Sequence, residues 1–575
     1  MGRMLFRVGT ALFVGLSALA AMPARALEDA PPVVGYAASA IPGGGFDEPL
    51  VLAPAGANVC FAEINGDNVT DFSGDNAQAL RNALAAVVSG GTVKIAGLCA
   101  GVTNQGGADQ VALVTKTVTL IGGYADGSWM SSYPITQPTV LDAQAGGRVL
   151  TIDSVPASLA DLTVRNGNAT GSGGILTGGE LTLTNVDVLS NTSTLAGGGG
   201  AYIFGVAMIV GGSFRNNLAP GHFGVIDATG GVQALGMISI SGTHFISNTS
   251  RDFGGGVRGG PVFLTNTLFV SNSADYGGGV YAGRVSIHGG QFISNSANDG
   301  GGGLYATTDT AIEGARFQGN RSIGDGAGVF NSSGLMVITN TLLIDNVAKG
   351  SGGGLYTEFG EVTLFGGQFQ NNRATRGGGG VFAGKALTTT NTLFIANSAA
   401  RGGGVLFQAG VSRVTNALFA RNVASTSLGA AIFISATAVV IVAATTIASP
   451  TVAAGSAIYV LTGTLSLRNT IIASHTLGIS RSAGSVSENF NLFDRVITPR
   501  GGVISVGASS FTATAGFVDL PAGDHHLAPG SAAIDAGTHA GTSFDFEGDP
   551  RPMGGGFDIG YDEFRPLSFL PLVRR

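Results

Sequence analysis

Residues 278–295 read Gly278-Gly279-Val280-Tyr281-Ala282-Gly283-Arg284-Val285-Ser286-Ile287-His288-Gly289-Gly290-Gln291-Phe292-Ile293-Ser294-Asn295. Three short β-prone runs, Val280-Tyr281-Ala282, Val285-Ser286-Ile287 and Phe292-Ile293-Ser294, are separated by glycine and polar residues, with no helical spacing. The phrase recurs. An apolar-x-x-Asn unit stands at Val188…Asn191, Phe214…Asn217, Phe245…Asn248, Phe269…Asn272, Phe292…Asn295, Phe317…Asn320, Leu343…Asn346, Phe369…Asn372, Phe394…Asn397 and Phe419…Asn422. From Val188 to Phe419 is 231 residues over nine intervals, or 25.7 per interval. Between these units falls a Gly run followed by an aliphatic and an aromatic residue, as in Gly302-Gly303-Leu304-Tyr305 and Gly353-Gly354-Leu355-Tyr356. A fixed period of this size means a solenoid, and three strands per repeat make it an all-β, right-handed, single-stranded parallel β-helix. At about 4.8 Å per coil, roughly 15 coils would form a rod of about 70 Å.

Stacking turns each repeat position into a column. Phe occupies eight of the ten apolar positions, so the column reads as an internal ladder. The Asn three residues later reads as a turn residue, suited to a left-handed conformation and to bonding the neighbouring coil's backbone. Glycine supplies positive φ at the next corner. The composition fits this reading. Ninety-five Gly with 11% charged residues would otherwise suggest collagen or disorder, but 44% of the chain is apolar and in register with the glycines. The net charge is −7 and the basic residues are scattered, which argues against nucleic acid as a partner.

Residues 1–26 read as a signal peptide: Arg3 and Arg7, an apolar run from Val8 to Ala21, then Ala24-Arg25-Ala26. Residues 27–117 read as an amino-terminal cap carrying the chain's two cysteines, Cys60 and Cys99, which in an exported chain are expected to form a disulfide. Between them Leu80, Ala83, Leu84 and Val87 recur at helical spacing behind Ser73 and Asp75 as candidate N-caps, predicting an amphipathic helix over Asp75 to Val88 that covers the first coil. Asp67, Asp71 and Asp75 lack the glycine and terminal Glu of a calcium loop. The repeats are assigned to 118–510. Ala430 to Ser449 carries no charge over 20 residues, but it is rich in Val, Ile and Thr and keeps the coil spacing, so it reads as strand and not as a membrane helix.

Two resemblances follow from these motifs. The alternation of Phe-x-x-Asn with Gly-Gly-aliphatic units, over roughly Leu181 to Ile472, resembles the repeats of chlamydial polymorphic outer-membrane proteins, which implies a surface-exposed β-helical adhesin. Those proteins end in a translocating barrel, and nothing after Phe511 is long enough to be one. The stretch Asp524-His525-His526-Leu527-Ala528-Pro529-Gly530-Ser531-Ala532-Ala533-Ile534-Asp535-Ala536-Gly537, with Asp549-Pro550-Arg551-Pro552 and Phe557-Asp558-Ile559-Gly560-Tyr561-Asp562-Glu563-Phe564, resembles the choice-of-anchor Q domain. That domain closes many secreted bacterial β-helix proteins, and Tyr561-Asp562-Glu563 departs from its usual Ala-Tyr-Glu. Residues 511–566 are assigned to this module and 567–575 to a tail.

β-Helices resembling the pectin lyase group include polysaccharide lyases and hydrolases, whose chemistry needs carboxylates converging on one outer face. The outward positions here offer Ser286, His288, Glu313, Thr388 and Thr390, with Glu361 two repeats from Glu313. His525 and His526 beside Asp524 lack a nucleophile and read as structural. The Gly runs lack the Lys-Ser/Thr of a phosphate loop. Two columns remain. Asp252, Asp275, Asp299 and Asp325 stand at one corner, followed by Lys349, Arg376 and Arg401; the four aspartates are a candidate site for weak calcium binding, the one cofactor expected. Tyr281, Tyr305, Phe330, Tyr356 and Phe382 occupy one strand position in five consecutive coils, and alternation puts them outside if Val280 and its equivalents point inward. The expectation is a secreted or cell-surface, non-enzymatic protein that binds a polysaccharide or a surface protein through this aromatic strip, with a lyase or hydrolase and an envelope component as the rival readings.

Overall fold

Each repeat makes one turn around an apolar interior and pairs in parallel with the turns on either side. The structure, a computed structural model, describes residues 59–221 and 227–565. The expected signal peptide, 1–26, and the tail, 567–575, lie outside the described residues. About 16 turns stack, and the chain is an all-β parallel solenoid with a single described helix, Gln78–Ala86.

Register follows the sequence columns residue for residue. Val280 pairs with Val257 and Leu304, and Phe292 with Phe269 and Phe317. Strict register lets identical side chains stack, so the Phe269, Phe292 and Phe317 rings lie 4.7 and 4.4 Å apart with planes within 13°. Each is buried in the main core, a burial that stabilises by about 1.5–3 kcal/mol per side chain. The first two expected strands merge into one, Val280–His288, and a further strand, Ser296–Gly300, belongs to a separate 11-stranded sheet.

The Asn of the repeat does not take the left-handed turn. That conformation falls one residue earlier, at Ser271 (φ 54°), Ser294 (φ 55°) and Asn371 (φ 54°), while Asn272, Asn295 and Asn372 are fully buried. A short polar side chain tolerates this turn, which leaves the Asn free to point inward and bond along the stack. Glycine plays two parts. Gly277 has φ 66° and makes the corner, whereas a Cβ on Gly279 would lie 2.5 Å from the carbonyl oxygen of Gly303, so only glycine lets successive coils approach there.

At the amino-terminal end Cys60–Glu63 pairs antiparallel with Phe72–Gly74 and with Gly91–Ala100, and Cys60 is bonded to Cys99. The helix begins at Gln78, later than expected, with Ala77 at the N-cap; neither Ser73 nor Asp75 caps it, and Asn76 Oδ1 accepts the Gln78 N–H instead. Its buried face is Ala79, Leu80, Ala83 and Leu84. The uncharged stretch is strand, in Ile432–Ile434 and Val439–Val460. Among the described residues no helix is long and apolar enough to cross a membrane. The carboxy-terminal segment folds back along the flank of the solenoid. Asn416 Nδ2 donates to the Phe544 carbonyl, Arg421 to that of Pro521, and the Tyr561 N–H to Thr446 Oγ1.

Candidate functional site

The aromatic strip is built by strand alternation. Val280, Leu304, Val329, Leu355 and Val381 are completely buried, so the residue that follows each of them turns to the opposite face. Tyr281, Tyr305, Phe330, Tyr356 and Phe382 are consecutive register partners. Their ring centroids are 5.3, 4.4, 5.0 and 4.7 Å apart, with planes within 22°. The rings therefore cover one another's faces and offer only edges outward. A sugar cannot lie flat on them.

Exposure along the strip is uneven. Phe330 is only 8% exposed and has nothing to give a ligand, whereas Tyr281, Tyr305, Tyr356 and Phe382 are half-buried. The backbone at Gly300 leans over the stack: a Cβ there would stand 3.2 Å from Phe330 and 3.4 Å from Tyr305. Burial pushes the phenols of Tyr305 and Tyr356 up to about 12, so both hydroxyls are neutral donors and acceptors over the physiological range. The column is also longer than the five residues legible as a motif. It continues through Leu406, Phe433 and Tyr459, and it begins at Arg258, whose guanidinium lies 4.7 Å from the Phe253 ring and 5.9 Å from that of Tyr281. In those later coils Leu406 breaks the aromatic run and alanines replace the glycines before Ile432-Phe433, which hid the continuation.

The aspartate corner is used up locally. Asp252 accepts from the Ala228 N–H at 3.3 Å, Asp275 from Asn298 Nδ2 at 2.6 Å, and Asp325 from the Ser351 N–H at 2.5 Å, while Asp299 bonds Tyr276. Burial, with the like charge of Asp275 adding to it, raises the pKa of Asp252. The four carboxylates do not supply three ligand atoms within 4.8 Å of one another; among the described residues His526, Glu547 and Asp562 do. His288 Nδ1 and Glu313 Oε2 meet at 3.2 Å, but both side chains are about two-thirds exposed. Glu361 occupies a different column, paired with Leu335. Such open pairs lack the desolvation that tunes catalytic carboxylates.

The His526 cluster was read as structural from sequence, and its geometry is specific. Strand alternation in Asp524–Leu527 buries His525 against Phe517 and turns His526 the other way. His526 Nδ1 is 2.5 Å from Asp524 Oδ1 and Nε2 is 2.9 Å from Glu547 Oε1. Asp562 Oδ2 accepts the Leu527 N–H at 2.8 Å. Burial works against charge on His526, but the bonds to Glu547 and Asp524 win and push its pKa up to about 9. Burial pushes Asp562 up to about 7. Beneath the cluster the buried Arg551–Glu563 pair, 3.0 Å, and the carbonyls of Asp558 and Gly560 fix the last described turn. The chain matches no family model and no curated protein.

Proposed function

We propose that this chain is an exported or cell-surface β-solenoid that binds a glycan or a surface protein without transforming it, through the outer edge of the aromatic strip. The observation that carries this reading is the row of neutral tyrosine hydroxyls, Tyr281, Tyr305 and Tyr356, held at fixed spacing by the stack beneath them. A row of paired donors and acceptors suits the hydroxyls of an extended saccharide or the edge of a peptide. Export is supported by the basic and apolar start of the sequence and by the Cys60–Cys99 disulfide, which suits an oxidising compartment. The resemblance of the repeats to chlamydial surface adhesins, and of the end module to the choice-of-anchor Q domain, supports display at a bacterial surface. A glycan array probed with the secreted chain tests the reading, run beside a product assay on acidic polysaccharides. Retention of a saccharide with no product is the expected result; cleavage would replace binding with lyase or hydrolase chemistry.

A further inference from the structure

We propose that His526, Glu547 and Asp562 hold one first-row divalent transition-metal ion, zinc or manganese, which clips together three segments of the carboxy-terminal module. The three ligand atoms, one imidazole nitrogen and two carboxylate oxygens, lie within 4.8 Å of one another. Two atoms each about 2.0–2.2 Å from a common ion sit about 2.9–3.5 Å apart, and the Nε2 to Glu547 Oε1 distance is 2.9 Å. Imidazole beside carboxylate selects this class of ion over calcium or magnesium, which prefer all-oxygen sets.

The surroundings are arranged as a metal site needs. Asp524 holds Nδ1 of His526, fixing the ring so that Nε2 faces the two carboxylates, the role a carboxylate plays behind a ligating histidine. Asp562 is anchored through Oδ2 by the Leu527 N–H, and its carboxylate is only 5% exposed at the residue level, so it is preset rather than floppy. Glu547 is exposed and gives the ion a route in. The ligands come from the strand Asp524–Leu527, from the loop at Glu547 and from the last described segment, so one ion ties together pieces 21 and 15 residues apart in the chain. Three protein ligands leave a position for water or for a group on a partner.

The competing occupant is a proton. An imidazolium at His526 bridging Asp524 and Glu547 would produce the same hydrogen bonds, so the test must separate metal from proton. The full mature chain, stripped with chelator, is titrated calorimetrically with Zn²⁺ and with Mn²⁺, and melted with and without each. The proposal expects one saturable site per chain for at least one of the two ions and a higher melting temperature with that ion. Asp524→Asn, which only orients the ring, should weaken binding about 10- to 100-fold. Glu547→Gln, at an exposed position that the fold does not need, should weaken it at least as much, and His526→Ala should abolish it. Absence of saturable binding by the unmodified chain up to about 1 mM of either ion overturns the proposal and leaves a protonated ion pair. Binding that is unchanged in both Asp524→Asn and Glu547→Gln also overturns it, by placing the ion elsewhere.

Discussion

Asn295 donates from two of its atoms to a single acceptor: its backbone N–H and its Nδ2 lie 3.0 and 3.1 Å from Oδ1 of Asn320 in the next coil. Asn320 repeats the gesture toward Asn346 and also reaches back, Nδ2 to the Phe292 carbonyl at 2.9 Å. Each buried Asn thus satisfies the corner of the coil before it. Because the bonds share atoms along the stack, removing one member strands groups in two coils. Asn320→Ala takes the acceptor from both Asn295 donors and is expected to cost about 2–5 kcal/mol, measured by chemical unfolding. Asn298→Ala, exposed and outside the ladder, should stay within about 0.5 kcal/mol of the parent.

Cys60 and Cys99, separated by 39 positions, close a loop around the helix that covers the first coil. On the chain-entropy account a loop of that length stabilises by about 4 kcal/mol. Cys60→Ser with Cys99→Ser should therefore speed amide exchange and proteolysis in the segment from residue 59 to 100, while the central coils keep their protection, because each coil contacts only its neighbours.

His475 is 2% exposed and neither ring nitrogen has a partner. Burial depresses its pKa to about 4, so the folded protein keeps the ring neutral while the unfolded chain, near 6.5, takes up a proton. The stability tied to the neutral ring is complete above about pH 6.5 and is lost as the pH falls toward 4, a loss of about 3 kcal/mol. His475→Leu removes that dependence. Its unfolding free energy should match or exceed the parent's at pH 7, and the gap should widen by about 3 kcal/mol at pH 4; parallel slopes for the two proteins would show that His475 is not the titrating group.

Sequence alone carried the repeat, the parallel stacking and the Phe292-type ladder, because a period of about 26 residues with one apolar residue in phase can bury that residue only one way. It misplaced the left-handed residue, since Ser294 and Asn295 are both tolerated there and only coil-to-coil pairing decides which of them turns inward. It passed over Ser296–Gly300, whose Ser, Asn and Asp look like loop until eleven such segments pair with one another. The strip's position was legible from Val280-Tyr281-Ala282, but the mutual covering of its ring faces depends on a spacing between coils that no single repeat contains. The His526 cluster left no spacing signature, because its members sit on separate irregular segments brought together by docking on the solenoid.

The hydroxyl row is isolated by Tyr281→Phe, Tyr305→Phe and Tyr356→Phe made together. Phe keeps every ring in the stack, so the melting temperature should move by no more than a few degrees. Binding to whichever array glycan or cell surface retains the parent should fall by about tenfold or more for each hydroxyl that contacts the ligand. Attachment by the triple variant equal to that of the parent, at equal stability, would contradict a binding role for this strip.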